Sequence, residues 1–296
     1  MRPLDTLSAL VAALALGLAF ICIKIGVGEV PPLTLTALRF VFAAFPAVFF
    51  IRPPRVSGGL VALYGGLIGI GQFGLLFLAI SRGMPVGLAS LVIQLQAFIT
   101  VFLAWLVLGE RPGVLQVAAA GLALAGIVVI GAVRLQGASL APFLMVVAAA
   151  LCWGGGNIVG KLAGRADMFA VTVWSSLIAP APLLALSLAV DGWRAVRPLA
   201  HPSWALVSCV AGLAYGATIV GFGLWSRLLA HYPAGRVAPF ALLIPVVGMV
   251  SGWLLFAEPL APAEVAGSLL VMAGLSVAIF GDRLAACTAP WRRRQT

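Results

Sequence analysis

The stretch Pro85–Glu110, PVGLASLVIQLQAFITVFLAWLVLGE, returns 148 positions later as Pro233–Glu258, PAGRVAPFALLIPVVGMVSGWLLFAE. Pro85, Gly87, Trp105 and Glu110 fall on Pro233, Gly235, Trp253 and Glu258 with no gap. Each copy holds a long apolar run between a Pro start and a Glu stop, with no acidic residue inside. At about 1.5 Å per residue, roughly 20 such residues cross a hydrocarbon core of about 30 Å, so each copy reads as one membrane helix. A membrane helix repeated at matching positions of two halves is the signature of a transporter built from internal repeats.

Composition closes off the soluble alternatives. Apolar residues make up 63% of the chain and charged residues 9%, against roughly a quarter charged in soluble domains. The net charge of +10 is spread over short loops and a tail, Arg292-Arg293-Arg294. That is a positive-inside pattern; a nucleic-acid partner would need a basic patch interleaved with aromatics, which the sequence lacks. The four cysteines, Cys22, Cys152, Cys209 and Cys287, stand isolated and suggest neither a disulfide framework nor a metal site. No cofactor and no metal is expected.

Ten spans are expected, near 7–26, 32–51, 59–81, 85–108, 113–133, 139–162, 168–190, 203–229, 233–256 and 261–281. The first begins like a signal peptide, but its apolar run is long, and without it four spans would face five. The repeat covers both halves. Lys24 and Lys161 are 137 apart, which pairs Gly17 with Gly154; Pro46 and Pro182 are 136 apart, which puts Arg39 opposite Ser175. The later spacing of 148 implies about a dozen extra residues in the second half, assigned to the polar connection Asp191–Pro202, read as the longest loop. An odd number of spans per half makes the halves face opposite ways. The fold class is therefore all-α: a polytopic membrane protein of ten transmembrane helices in two inverted five-helix repeats. The first repeat is expected over 1–134, the second over 135–282, and a basic cytoplasmic tail over 283–296.

Charge orients the bundle. With both termini inside, the inner ends carry Arg2, Arg52, Arg55, Arg111, Lys161, Arg165, Arg227, Arg236, Arg283 and Arg292 to Arg294, twelve in all. The outer ends carry five, Lys24, Arg82, Arg134, Arg194 and Arg197. The count places both termini in the cytoplasm and leaves Arg39 as the one basic residue well inside a span.

Polar side chains are expensive in a membrane, so they face a cavity or another helix. Gln94 and Gln96 lie about 200° apart on an ideal helix and cannot share a face. Gln94 groups with Ser90, and Gln96 with Thr100, so one stripe faces the cavity and the other a neighbouring helix; which is which stays open. Gln72 and Asn157 are further candidates. Asn157 follows Trp153 and the run Gly154-Gly155-Gly156, whose glycines either pack helices closely or bare backbone to a ligand. Trp153, Trp174, Tyr215, Phe222 and Trp225 are candidate cavity walls, with packing or interfacial anchoring as the other reading. Lys24 and Lys161 either snorkel from helix ends or meet a substrate carboxylate, and Arg39 lies deeper. Pro46, Pro180, Pro182 and Pro245 each remove a backbone donor within a span; Pro46, Pro182 and Pro245 are the expected hinges. Gly267, Gly274 and Gly281 on span 10 and Gly121, Gly126 and Gly131 on span 5 are expected to pack those two helices together.

Three segments carry a family resemblance: GQFGLLFLAISRGMPVGLASLVIQLQ at Gly71–Gln96, ATIVGFGLW with RVAPFALLIPVVG within 217–248, and CWGGGN at Cys152–Asn157. Together they resemble the EamA family of the drug/metabolite transporter superfamily, through essentially the whole chain. The resemblance implies ten helices, a central cavity, alternating access and a bacterial inner-membrane, multi-pass protein. It implies export of small neutral amino acids or derivatives: cysteine and O-acetylserine first, then methionine, threonine or aromatic amino acids. One departure stands in the first helix, where Leu16-Gly17-Leu18-Ala19 replaces a Trp-Gly-x-Asn pattern. Partners are then an amino-acid-like small molecule and the lipid bilayer, with function as a monomer.

Two other classes fit the sequence less well. An enzyme would need a ligand cluster or a nucleophile with its base, and neither HExxH nor GxSxG occurs. An exporter of cationic drugs or other amphipathic compounds is the competing transporter. The small multidrug branch uses a carboxylate in its first helix, whereas all eight acids here fall at or near span ends.

Overall fold

The computed structural model describes residues 2–137, 140–164, 166–232, 237, 240–258 and 261–292. Pro233, Gly235, Arg165, Arg236, Arg293 and Arg294 lie outside the described residues. Ten apolar helical segments follow in order: α1 Pro3–Glu29, α2 Pro32–Phe50, α3 Gly58–Ser81, α4 Val86–Leu108, α5 Val114–Val133, α6 Leu140–Leu162, α7 Met168–Ala195, α8 Trp204–Trp225, α9 Leu243–Phe256 and α10 Pro262–Phe280. Nine are long and apolar enough to span a bilayer among the described residues, and α9 is the shorter one because its predicted start is largely undescribed. Outward faces carry Leu14, Leu18, Leu124, Val128, Leu254 and Leu255 in the open, as a lipid-facing surface requires.

Local chemistry explains most helix starts. Pro3, Pro32, Pro180 and Pro262 occupy first-turn positions, where the missing N–H costs nothing. Ser57, Asp167 and Ser203 accept the N–H of Leu60, Phe169 and Leu206 as N-caps. Of the expected hinges, Pro46 sits at a break between Pro32–Ala44 and Ala47–Phe50. In α7 the break comes at residues 176–179, and Pro182 falls in the first turn of the resumed helix rather than at the break. Pro245 lies in the first turn of α9 without interrupting it. The connection Asp191–Pro202 is less a loop than a pair of 3₁₀ turns, Gly192–Ala195 and Arg197–Leu199. They fold back so that Thr34 Oγ1 donates to the Ala195 carbonyl at 3.1 Å.

Small residues set the helix distances. A Cβ at Gly267 would stand 2.7 Å from the Gly126 carbonyl oxygen, and one at Gly274 2.7 Å from that of Ala119, so α5 and α10 pack on each other. Of the glycines expected in that seam, Gly121 has nothing within 4 Å of an added Cβ, and Gly131 instead meets Phe143 of α6. The glycine run of α6 is used for packing: a Cβ at Gly154 would meet Ile99 Cγ2 of α4 at 2.5 Å, and one at Gly156 would run into Ile68 of α3.

A feature not read from the sequence recurs in both halves. Residues Gly66–Gly74 of α3 and Gly212–Phe222 of α8 are π-helical, with wide turns closed from i to i+5. Both stretches run up to a Phe-Gly-Leu triplet, Phe73–Leu75 and Phe222–Leu224. Such turns are rare and cluster at functional sites.

Candidate functional site

The π-turns of both repeats open onto one small central cavity of about 40 Å³. Its aliphatic lining comes from Leu16, Ala19 and Ile23 of α1, Leu76 of α3, Ile93 of α4, Ala217 of α8 and Ile244 of α9. Its aromatic and polar lining is Phe20, Arg39, Gln72, Phe73, Gln94, Trp153 and Phe222. Both repeats therefore contribute. The volume holds a few water molecules at most, so any larger occupant requires the helices to move apart.

Arg39 dominates the chemistry. Its side chain is 1% exposed, on the buried face of α2. The guanidinium carbon stands 3.8 Å from the centroid of the Phe73 ring and 5.6 Å from that of Phe40. Nε donates to Thr218 Oγ1 at 3.2 Å, and Thr218 in turn donates to the Leu213 carbonyl, five residues back in the π-turn of α8. Among the described residues no carboxylate forms an ion pair with Arg39. Ring faces steady a cation without neutralising it. The cavity is thus a small, positively charged recess whose cation is held by aromatics and one hydroxyl.

Beside it, Gln72 is 1% exposed and its Oε1 has no hydrogen-bond partner among the described residues. A buried acceptor left bare is costly, so Gln72 Oε1 is an acceptor open to a donor that enters the cavity. On the other side Gln94 reaches the Ala241 carbonyl through Nε2 at 3.5 Å. Ser90, one turn earlier, donates to the Gly87 carbonyl at 2.7 Å and faces Pro245 of α9. The Ser90–Gln94 stripe is therefore the one that faces α9 and the cavity.

The Gln96–Thr100 stripe faces α6 instead. Asn157 Nδ2 donates to Gln96 Oε1 at 2.7 Å and to Thr100 Oγ1 at 2.9 Å. Asn157 and Gln96 thus tie helices together and do not line the cavity. Trp174 is placed elsewhere too: its Nε1 donates to the Ile51 carbonyl at 3.0 Å, fastening α7 to the end of α2. Tyr215 is 41% exposed and lines an apolar outer groove with Leu38 and Phe42. Trp225 packs on the cluster of Ala9, Leu228 and Val237. Of the predicted site and wall residues, Arg39, Gln72, Gln94, Trp153 and Phe222 converge on one cavity, whereas Gln96, Asn157, Trp174, Tyr215 and Trp225 do not line it. Phe73 and Thr218 were missed. The shared Phe-Gly-Leu triplet was the available signal for Phe73; Thr218 had none.

No group of three or more His, Cys, Asp or Glu side chains that could hold a metal exists among the described residues. The cavity offers binding chemistry: a cation, amide donors and acceptors, and aromatic walls.

Comparison with known proteins agrees with this architecture. The model of the EamA-like transporter family matches residues 5–132 and again 140–280. A protein of Salmonella typhimurium named "Probable amino-acid metabolite efflux pump" is 41% identical over 287 residues, covering 95% of this chain and 96% of its own. Its namesake in Escherichia coli K12 is 41% identical over 286 residues, covering 94% and 96%. YedA of the same strain, an "Uncharacterized inner membrane transporter", is 24% identical over 268 residues, covering 84% and 81%. A crystal structure 23% identical in sequence superposes with a TM-score of 0.63 over 94% of this chain and 98% of its own, which shows the shared fold. The chain belongs to the EamA-like transporter family: it is a multi-pass membrane transporter, not an enzyme.

Proposed function

We propose that the protein exports small neutral amino acids or their derivatives from the cytoplasm by alternating access, with the Arg39 cavity as the substrate site. The observation that carries this reading is a buried arginine with no carboxylate partner among the described residues, beside an acceptor that has no donor among them. A zwitterion supplies both missing partners: its carboxylate suits the guanidinium and its ammonium suits Gln72 Oε1. Gln94 adds a second amide, and Phe20, Phe73, Trp153 and Phe222 give the apolar wall that takes the side chain. Cysteine and O-acetylserine are the first candidates; the aromatic lining also suits methionine, threonine or an aromatic amino acid. The relatives named as amino-acid metabolite efflux pumps support the same class. A cationic drug fits the cavity poorly, because among the described residues its polar lining is one arginine, two amides and the Trp153 indole, none of them an acid.

In this reading both termini are cytoplasmic, the protein lies in a bacterial inner membrane, and one chain holds the whole site, so the monomer suffices. The repeats run 1–134 and 135–282, with 283–296 as a tail. Uptake into proteoliposomes tests the substrate. Labelled cysteine, O-acetylserine, methionine, threonine and phenylalanine are compared with a quaternary-ammonium dye. Saturable uptake of amino acids, competed by free amino acids and not by their methyl esters, is the expected result. Uptake of the dye with no amino acid taken up would overturn the substrate class.

A further inference from the structure

The inverted repeats place one Lys–Glu pair at each end of the bundle. Where α4 begins, Lys24 Nζ of α1 stands 3.1 Å from Glu258 Oε1. Glu258 Oε2 also accepts the Val86 N–H at 2.8 Å, so a single carboxylate joins α1 to the N-terminus of α4. At the opposite end, Lys161 Nζ of α6 meets Glu110 Oε2 at 2.6 Å. Lys24 and Lys161 are repeat equivalents, and so are Glu110 and Glu258. Each lysine comes from the first helix of one repeat, and each glutamate from just beyond the fourth helix of the other.

The two glutamates are delivered by the same turn. Gly109 and Ala257 both take the left-handed conformation, at φ 70° and 48°. The Glu110 and Glu258 N–H groups then return to the Ala104 and Gly252 carbonyls at 3.3 and 3.2 Å. A non-glycine residue pays for this conformation, so the turn at Ala257 persists because its surroundings fix it.

The pairs differ in their surroundings. Side chains are 30% and 11% exposed at Lys24–Glu258, against 43% and 55% at Lys161–Glu110. Beneath Glu258, α4 and α9 approach backbone to backbone: a Cβ at Gly87 would lie 3.0 Å from Met249 Cα, and one at Gly252 3.1 Å from the Gly87 nitrogen. The α4–α9 contact continues through Ser90 and the Pro245 carbonyl to the cavity-lining Gln94 and the Ala241 carbonyl.

We propose that the two pairs are alternate latches of the transport cycle, Lys24–Glu258 closing one mouth and Lys161–Glu110 the other, with Lys161–Glu110 the one that opens first from the state seen here. The proposal rests on the alternating-access reading above. Rocking one repeat against the other separates, at one end, groups that belong to different repeats; ties within a repeat ride along unbroken. Both pairs are of the first kind. A pair open to water breaks and re-forms at small net cost, which suits a latch that cycles.

Hydrogen exchange on the purified full chain, with no substrate added, tests it. Glu258→Gln keeps an acceptor for the Val86 N–H and removes the charge. It is expected to raise exchange over residues 86–92 at least about fivefold, since one exposed ion pair is already worth that much and this pair is largely shielded from water, while slowing it over 100–108 and 158–162. Glu110→Gln should give the mirror image. Lys24→Arg and Lys161→Arg, which keep the charge, should leave both ends at wild-type values. If Glu258→Gln fails to fold, Lys24→Met reads the same mouth with the Val86 cap intact. Loss of protection confined to the altered end, or no change in any variant, would overturn the proposal. Because no substrate is present, failure of the amino-acid reading would show only in the uptake assay.

Discussion

The Arg39 guanidinium lies 3.8 Å above the ring of Phe73, the last residue but one of the α3 π-turn, so the one cation among the cavity's described lining residues is set by that turn. The pairing crosses helices of one repeat, while the hydroxyl that holds Nε, on Thr218, comes from the matching turn of the other. Both halves thus fix one charge at the centre.

Arg39→Lys is expected to keep the charge and lose affinity. Lysine offers neither the planar fork that takes a carboxylate at two points nor the flat face that stacks on Phe73. A lost buried charge-assisted hydrogen bond is worth about 1–3 kcal/mol, so the substrate Kd should rise roughly 5- to 150-fold. Binding titrations in detergent read this directly. Unchanged affinity would remove Arg39 from the site.

Gln94 and Asn157 should separate cleanly. Gln94→Ala takes an amide from the cavity wall and is expected to lower substrate affinity about 5-fold or more with little change in Tm. Asn157→Ala leaves Gln96 and Thr100 without their donor in the α4–α6 seam. It should cost about 0.5–2 kcal/mol of stability, the range for interhelical hydrogen bonds in membrane proteins, with affinity nearly unchanged. Thermal unfolding and binding, measured on the same preparations, check both; a substrate effect confined to Asn157→Ala would reverse the assignment.

How much of this was legible beforehand follows from those two stripes. The duplicated Pro…Glu segments point to two repeats, and the apolar runs along the chain to ten helices with an odd number in each half, because run length and repeat parity are properties of sequence alone. Period also separates Gln94 from Gln96. It does not say which neighbour each meets, since that depends on how α6 and α9 lie against α4. Residues Ile93–Leu95 form a 3₁₀ turn, and α3 and α8 carry π-turns, so a projection at 100° per residue misdirects the side chains nearest the cavity. Gln72 and Thr218 both sit in such turns. Trp174, Tyr215 and Trp225 were read from type, and an aromatic ring serves a seam, a lipid face or a cavity equally well. Arg39 was found because a buried cation in a span has few other uses.

The α5–α10 seam predicts opposite outcomes for two glycines on one helix. At Gly126 a methyl group would meet the Gly267 carbonyl and stand 2.9 Å from the Val271 nitrogen, and backbone does not yield as a side chain does. Gly126→Ala should therefore destabilise by about 1–3 kcal/mol, as overpacking does. Gly121 has nothing within 4 Å of its added Cβ. Gly121→Ala should leave stability unchanged or raise it by up to about 1 kcal/mol, the helix-propensity difference. Thermal unfolding in detergent decides between them, and equal effects at both sites would mean the seam is not packed as described.

Orientation decides the direction of transport, and the lysines and arginines make a definite prediction. The ten-span reading of the sequence expects twelve at the ends that share a side with the termini and five at the other, an excess that predicts the terminal side to be cytoplasmic. Ser57 precedes α3 on the terminal side, and Ser203 precedes α8 on the opposite one. Each is the N-cap of its helix, so a cysteine at either position costs about 1 kcal/mol and leaves the fold in place. With Cys22, Cys152, Cys209 and Cys287 replaced, a membrane-impermeant maleimide added to intact spheroplasts should label Ser203→Cys and spare Ser57→Cys until the membrane is broken. The Lys161–Glu110 end would then face the cytoplasm, and its looser latch would be the one that admits cargo for export. Labelling of Ser57→Cys alone would invert the molecule, placing that latch outside and making the state seen here one that opens toward the periplasm.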